Sequence, residues 1–150
     1  MKRKSMAGAF CPVARSLDVI GDWWSLLIVR DAFLGLRRFG EFQKSLGLAK
    51  NILTARLRHL VSEGIMETVP AADGSAYHDY VLTEKGRALS PVLVALRQWG
   101  EDTFFPEGDC RSVLVDKQSG KPVKKLEMHA QDGRLLTRDE TEVRQRASIQ

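Results

Sequence analysis

Two short helical patterns joined by a glycine, an alternating hairpin pattern directly after them, and a long amphipathic helix beyond the hairpin predict a mainly α fold with a small β component. In that order these pieces make an α+β winged helix-turn-helix with a long C-terminal dimerisation helix and a small β-rich C-terminal extension. The expected organisation is a flexible basic arm over residues 1–10, the winged helix-turn-helix and dimerisation domain over 11–105, and the extension over 106–150.

The arm carries Lys2, Arg3 and Lys4 and no residue able to anchor a core, so it is expected to be mobile. Pro12 suits the first position of a helix that aligns Val13, Leu17 and Ile20. Cys11 then falls at the N-cap, where the helix dipole favours an anion and would raise thiolate reactivity; the alternative is a small side chain tucked under the helix start. Gly21-Asp22 interrupts, and a second helix over Trp23 to Leu34 holds Trp23, Trp24, Leu27, Ile28 and Phe33. It is too apolar for a surface helix, and both tryptophans are expected in the core.

The helical pair spans Phe39 to Met66. Phe39, Phe42 and Leu46 share one face of the first helix, and Gly47 ends it. The second helix runs over residues 49–63. At about 100° per residue, Leu57 and Leu60 lie within about 40° of Leu53, whereas Asn51 and Arg58 lie roughly 140–160° away. One face is therefore apolar, and the other offers Lys50, Asn51, Thr54, Ala55 and Arg58, residue types that bond phosphates and base edges in a major groove. Arg37 and Arg38 precede the pair and would sit beside a duplex backbone if these helices dock on one.

Ile65, Glu67 and Val69 alternate with their neighbours, and Tyr77 to Leu82 is again β-prone; AADGSA between them, with Asp73-Gly74, makes a hairpin turn. Thr83 should cap a long helix reaching about Phe104, with Leu89, Val92, Leu93, Leu96 and Trp99 on one stripe and a bend at Pro91. Because the preceding helices already enclose a core, that stripe is expected to need a second chain. In the tail, RSVLVD (111–116) and KPVKKLEMH (121–129) flank Gln118-Ser119-Gly120 as a second hairpin. A turn at Asp132-Gly133 follows, and Thr137 with Glu140 forms a capping box.

Charge follows the same division. Residues 1–66 hold 11 Lys/Arg against 5 Asp/Glu, residues 67–109 hold 3 against 8, and residues 110–150 hold 9 against 6. The positive charge gathers around the helical pair and at the two ends, as expected when one face meets nucleic acid. No apolar run is long enough for a signal peptide or a membrane span, which gives an expected cytoplasmic location without membrane contact. The two cysteines, Cys11 and Cys110, are too few for a disulfide framework and lack zinc-site spacing. With no phosphate-cradling glycine loop, and with His59, His78 and His129 isolated from any obvious partner, neither an enzyme nor a metal or other cofactor is expected.

These motifs together resemble the HxlR family of bacterial winged-helix regulators, relatives of the MarR type. The resemblance rests on CPVARSLDVIGDWWSLLIVRDAFLGLRRFGEF, LTARLRHLVSEGI, YHDYVLTEKGRALSPVL and RQWG, and covers roughly Cys11 to Thr103. It implies a homodimer on near-palindromic double-stranded operator DNA, with 49–63 as recognition helix. It carries DNA reading onto Lys50, Asn51, Thr54, Ala55 and Arg58, and gives Arg56 the role of a phosphate or helix-fixing residue. Cys11 matches the N-terminal cysteine that senses oxidants or electrophiles in redox-responsive members. Two alternatives stay open: an effector that is a small (aromatic) molecule near Trp23-Trp24 at the dimer interface, and a winged-helix interaction module with no DNA of its own. Family wings commonly carry a basic residue near the tip, and AADGS has none.

Overall fold

A computed structural model describes residues 3–146. The chain begins with four helices, α1 (Pro12–Ile20), α2 (Trp23–Phe33), α3 (Phe39–Leu46) and α4 (Lys50–Ser62). The antiparallel strands β1 (Met66–Pro70) and β2 (His78–Leu82) follow, paired from Met66 opposite Leu82 to Pro70 opposite His78. Next come a one-turn helix α5 (Glu84–Arg87) and the long α6 (Ser90–Phe104). The tail holds the two-residue strands β3 (Met128–His129) and β4 (Leu135–Leu136) and a 3-10 turn over Arg138–Glu140.

The core is built where helical periods converge. Ile28 and Val29 of α2, Phe42 of α3, and Leu53, Leu57 and Leu60 of α4 are buried together with Leu48, Ile65, Met66 and Leu82. At about 1.5–3 kcal/mol for each fully buried large apolar side chain, these contacts supply most of what holds the helical pair to its support. Gly47, at φ +65°, turns the chain between α3 and α4 in the left-handed region that a glycine enters without steric cost.

Several expectations are corrected by packing. Trp23 is 75% exposed, because the buried face of α2 runs through Ser25, Ile28 and Val29 and only Trp24 lies close enough to pack on it. On α1, Ile20 alone is buried, and Val13 and Leu17 remain exposed. The expected continuous helix from Thr83 is two: Thr83 does cap α5 by accepting from the Gly86 N–H at 3.1 Å, but Pro91 lacks an N–H and forces a restart at Ser90. The basic arm is fastened rather than loose over its described part. Ser5 Oγ and the Met6 N–H donate to Asp18 at 3.1 and 2.9 Å, and the Arg3 guanidinium donates to the Leu17 carbonyl. These bonds, the Met6 N–H first, hold the Asp18 carboxyl below its ordinary range.

The chain divides into two units between Leu93 and Val94, inside α6, rather than near residue 105. The first turn of α6 belongs to the core through Leu93, beside Leu89 just before the helix. Its later turns hold the tail: Arg97 donates to the Ser112 carbonyl at 2.6 Å, Gln98 bonds Lys124 and Leu126, and Lys125 pairs with Asp102 at 2.6 Å. The expected hairpin over 111–129 shrinks to one bridge, Val115 opposite Pro122, around a turn closed by the Asp116 carboxylate, and His129 pairs instead with Leu135. Glu140 accepts from the Thr137 N–H at 2.7 Å, as the capping box requires.

At Gly86 the α5 backbone lies against the end of the hairpin, and an added Cβ would meet the Ile65 carbonyl oxygen at 2.1 Å. Gly86→Ala is expected to destabilise the protein by about 1–3 kcal/mol through overpacking, read as a lower urea midpoint with an unchanged slope.

Candidate nucleic-acid interface

The apolar side of α4 determines what its other side can do. With Leu53, Leu57 and Leu60 sealed in the core, Lys50, Asn51, Ala55 and Arg58 are exposed and Thr54 is half-buried. Together these five line one shallow, open depression. The Thr54 hydroxyl donates to the Lys50 carbonyl at 2.8 Å. Among the described residues, neither Lys50 nor Arg58 is within ion-pair distance of a carboxylate. Lys50 to Arg58 spans about 12 Å of helix axis, close to the ~12 Å width of a B-DNA major groove.

Arg56 is turned toward α2. Its guanidinium lies 3.4 Å from Asp22, the N-cap of α2, whose other contacts come from the Ser25 N–H at 2.9 Å and the Ser25 hydroxyl at 2.6 Å. Burial works against the Asp22 charge, but the Ser25 hydrogen bonds and the Arg56 charge prevail and hold its carboxyl below the ordinary range. His59, not expected to have a partner, bonds the Val19 carbonyl at 2.8 Å and fastens α4 to the end of α1.

Arg37 and Arg38 are engaged within the fold. Asp79 of β2 is 4% exposed; Arg38 Nε donates to it at 2.8 Å, and Arg37 Nε lies 3.3 Å from its second oxygen. Arg38 Nη2 donates to Asp73 at the hairpin tip at 2.7 Å, and the guanidinium lies 5.6 Å from the centroid of the Tyr77 ring. The Tyr80 N–H donates to the Arg37 carbonyl at 2.7 Å, while Glu41 accepts the N–H groups of Arg37 and Arg38 at 2.8 and 2.9 Å. The hairpin is thereby tied to the start of α3. Asp79-Tyr80 is visible in the sequence, but its pairing across 41 residues leaves no local pattern to read.

The stripe expected from Leu89 to Trp99 is partly covered: Leu89, just before α6, and Leu93 pack on the core, whereas Val92, Leu96 and Trp99 are 42%, 47% and 61% exposed. Cys11 stands exposed as the N-cap of α1 and Cys110 is half-buried, both as free thiols. Among the described residues no helix is long and apolar enough to cross a membrane, and no three His, Cys, Asp or Glu side chains are grouped to hold a metal ion.

Two helices in tandem, the second offering an open polar face, followed by a two-stranded wing, define a winged helix-turn-helix protein. A family model described as HxlR-like helix-turn-helix matches residues 19–107, and the chain belongs to this family. An uncharacterised HTH-type transcriptional regulator of Mycobacterium tuberculosis (strain ATCC 25618 / H37Rv), Rv3095, is 44% identical over 97 residues; the match covers 64% of this chain and 61% of that relative, less than two thirds of its length. The crystal structure of PA1607, described as a candidate transcription factor, is 61% identical with a TM-score of 0.88, covering 94% of this chain and 99% of that one. The redox regulator HypR in its oxidised form is 34% identical with a TM-score of 0.56, over 62% of this chain and 97% of its own.

Asp73 titrates furthest from its ordinary value of 3.8: the Ser75 N–H, the Ser75 hydroxyl and then Arg38 lower it to about 2. A carboxyl with a folded pKa below its unfolded one stabilises the fold fully above the unfolded value, and that contribution is lost as pH falls through the folded one. Asp18, Asp22 and Glu41 are shifted in the same direction. Urea midpoints are therefore expected to be flat above about pH 5 and to fall between about pH 4 and 2, with a shallower fall in Asp73→Asn.

Proposed function

We propose that this protein is a homodimeric, sequence-specific DNA-binding transcriptional regulator that reads operator DNA with α4 in the major groove. The observation that carries the reading is the open face of Lys50, Asn51, Thr54, Ala55 and Arg58, held out by the leucines on the opposite side. Arg58 and Lys50 supply phosphate or guanine contacts, Asn51 can pair with an adenine edge, and the Thr54 and Ala55 methyls suit a thymine methyl. Arg37 and Arg38 lie at the start of α3, the helix that crosses the backbone when the second helix occupies the groove. Membership of the HxlR-like family and the likeness to Rv3095 and PA1607 support the same reading.

The second copy is the partner that the exposed Val92, Leu96 and Trp99 call for, since an apolar stripe of this kind marks an interface. In such a dimer the two α4 helices would lie about 34 Å apart, one duplex turn. Cys11 is the proposed switch, supported by its exposure at the head of α1 and by the likeness to HypR. Its thiolate would attack one oxygen of peroxide, forming the S–O bond of a sulfenic acid as the O–O bond breaks and hydroxide leaves to take a proton from solvent, altering the surface beside α1.

Fluorescence anisotropy on a duplex taken from upstream of the gene tests the assignment. Arg58→Ala is expected to weaken binding at least about tenfold and, where Arg58 meets a phosphate, to reduce the log–log salt slope by about 0.9. Unchanged affinity and slope would remove Arg58 from the interface. Repeating the titration after mild peroxide should shift the wild-type curve and leave Cys11→Ser unmoved; equal responses would reject the switch.

A further inference from the structure

Arg38 is held by two carboxylates of very different standing. Asp79 is buried and grips Nε at 2.8 Å, and its second oxygen is shared with Arg37, so this contact orients the guanidinium and belongs to the fold. Asp73 sits on the exposed tip and takes the outer Nη2 edge at 2.7 Å. Its other oxygen accepts the Ser75 N–H at 2.9 Å, which keeps the carboxylate aimed at Arg38. Between Pro70 and Tyr80 the wing contains no Lys or Arg to offset this acid. An exposed ion pair is weak and screened by solvent, whereas a phosphate can accept two charge-assisted bonds from one guanidinium and release counterions as it does so.

We propose that Asp73 sets the affinity of the interface by covering the outer edge of Arg38 until a DNA phosphate displaces it. The proposal rests on the DNA-binding reading and adds a residue that acts through Arg38. Asp79 keeps the guanidinium aimed while Asp73 competes for it, so the free protein holds a pre-oriented phosphate ligand behind an acidic cover. The carboxylate stays ionised throughout the physiological range, so the competition is governed by ionic strength rather than by pH. The acidic tip also repels the phosphates flanking the site, which makes binding by this wing dependent on the arginine exchange.

Asp73→Asn tests this, because the amide keeps an oxygen for the Ser75 N–H while removing the charge. Anisotropy titrations across a salt series compare wild type, Asp73→Asn and Asp73→Asn/Arg38→Gln on one duplex, with urea unfolding as the check on folding. Asp73→Asn is expected to bind roughly three- to tenfold more tightly, with a salt slope steeper by about 0.9, and the double variant to lose both gains. Binding equal to wild type, weaker binding with an unchanged slope, or a gain that persists without Arg38 would each overturn the proposal. Should neither wild type nor Asp73→Asn bind duplex at low salt, the DNA-binding reading itself fails; wild-type binding with an inert Asp73→Asn fails the proposal alone.

Discussion

The burial of Leu53, Leu57 and Leu60 governs the geometry of everything around α4. Three leucines within two turns, none more than 1% exposed, fix both the axis and the rotation of the helix against Ile28, Val29 and Phe42. A helix pinned in rotation presents its opposite face in a defined direction, so Asn51, Thr54 and Arg58 are placed before any partner arrives. The Arg56–Asp22 pair and the His59–Val19 hydrogen bond brace the flanks of the same helix. A helix already fixed in place loses less entropy on binding a partner than one that must order.

The first four helices and the wing hairpin were legible because each carries its own local signal. Pro12 opens α1, Gly47 turns between α3 and α4, the i, i+4, i+7 spacing of leucines marks α4, and Asp73-Gly74 marks the wing. The exposure of the opposite face of α4 was legible for the same reason: fixing the buried leucines leaves only one direction for Asn51 and Arg58. What local pattern cannot show is which apolar face finds a neighbour. Trp23, Val13 and Leu17 sit at helical spacings that suit a core, yet among the described residues they stay exposed. The state of Arg37 and Arg38 was equally hidden, since a basic pair looks alike in sequence whether it faces solvent or grips Asp79 and Asp73.

The exposed apolar residues bear on assembly. Val92, Leu96 and Trp99 of α6 are exposed, and from Val94 onward no described residue is buried. A unit without an interior of its own gains little from hydrophobic burial as an isolated chain. Its order in this chain comes from polar ties, Arg97 to Ser112, Lys125 to Asp102 and Gln98 to Leu126. A second copy laid along this stripe would cover apolar side chains that are exposed among the described residues, in keeping with the proposed dimer.

The central claim is that the outer face of α4 selects sequence. Selection of bound duplexes from a random library, run in parallel with wild type and Asn51→Ala, measures this directly. The account predicts that wild type enriches a near-palindromic site whose half-sites are centred about 10 base pairs apart, and that Asn51→Ala relaxes preference at one position in each half-site. Recovery of unenriched sequences by wild type, or an identical enriched site from Asn51→Ala together with variants of Thr54 and Arg58, would contradict it.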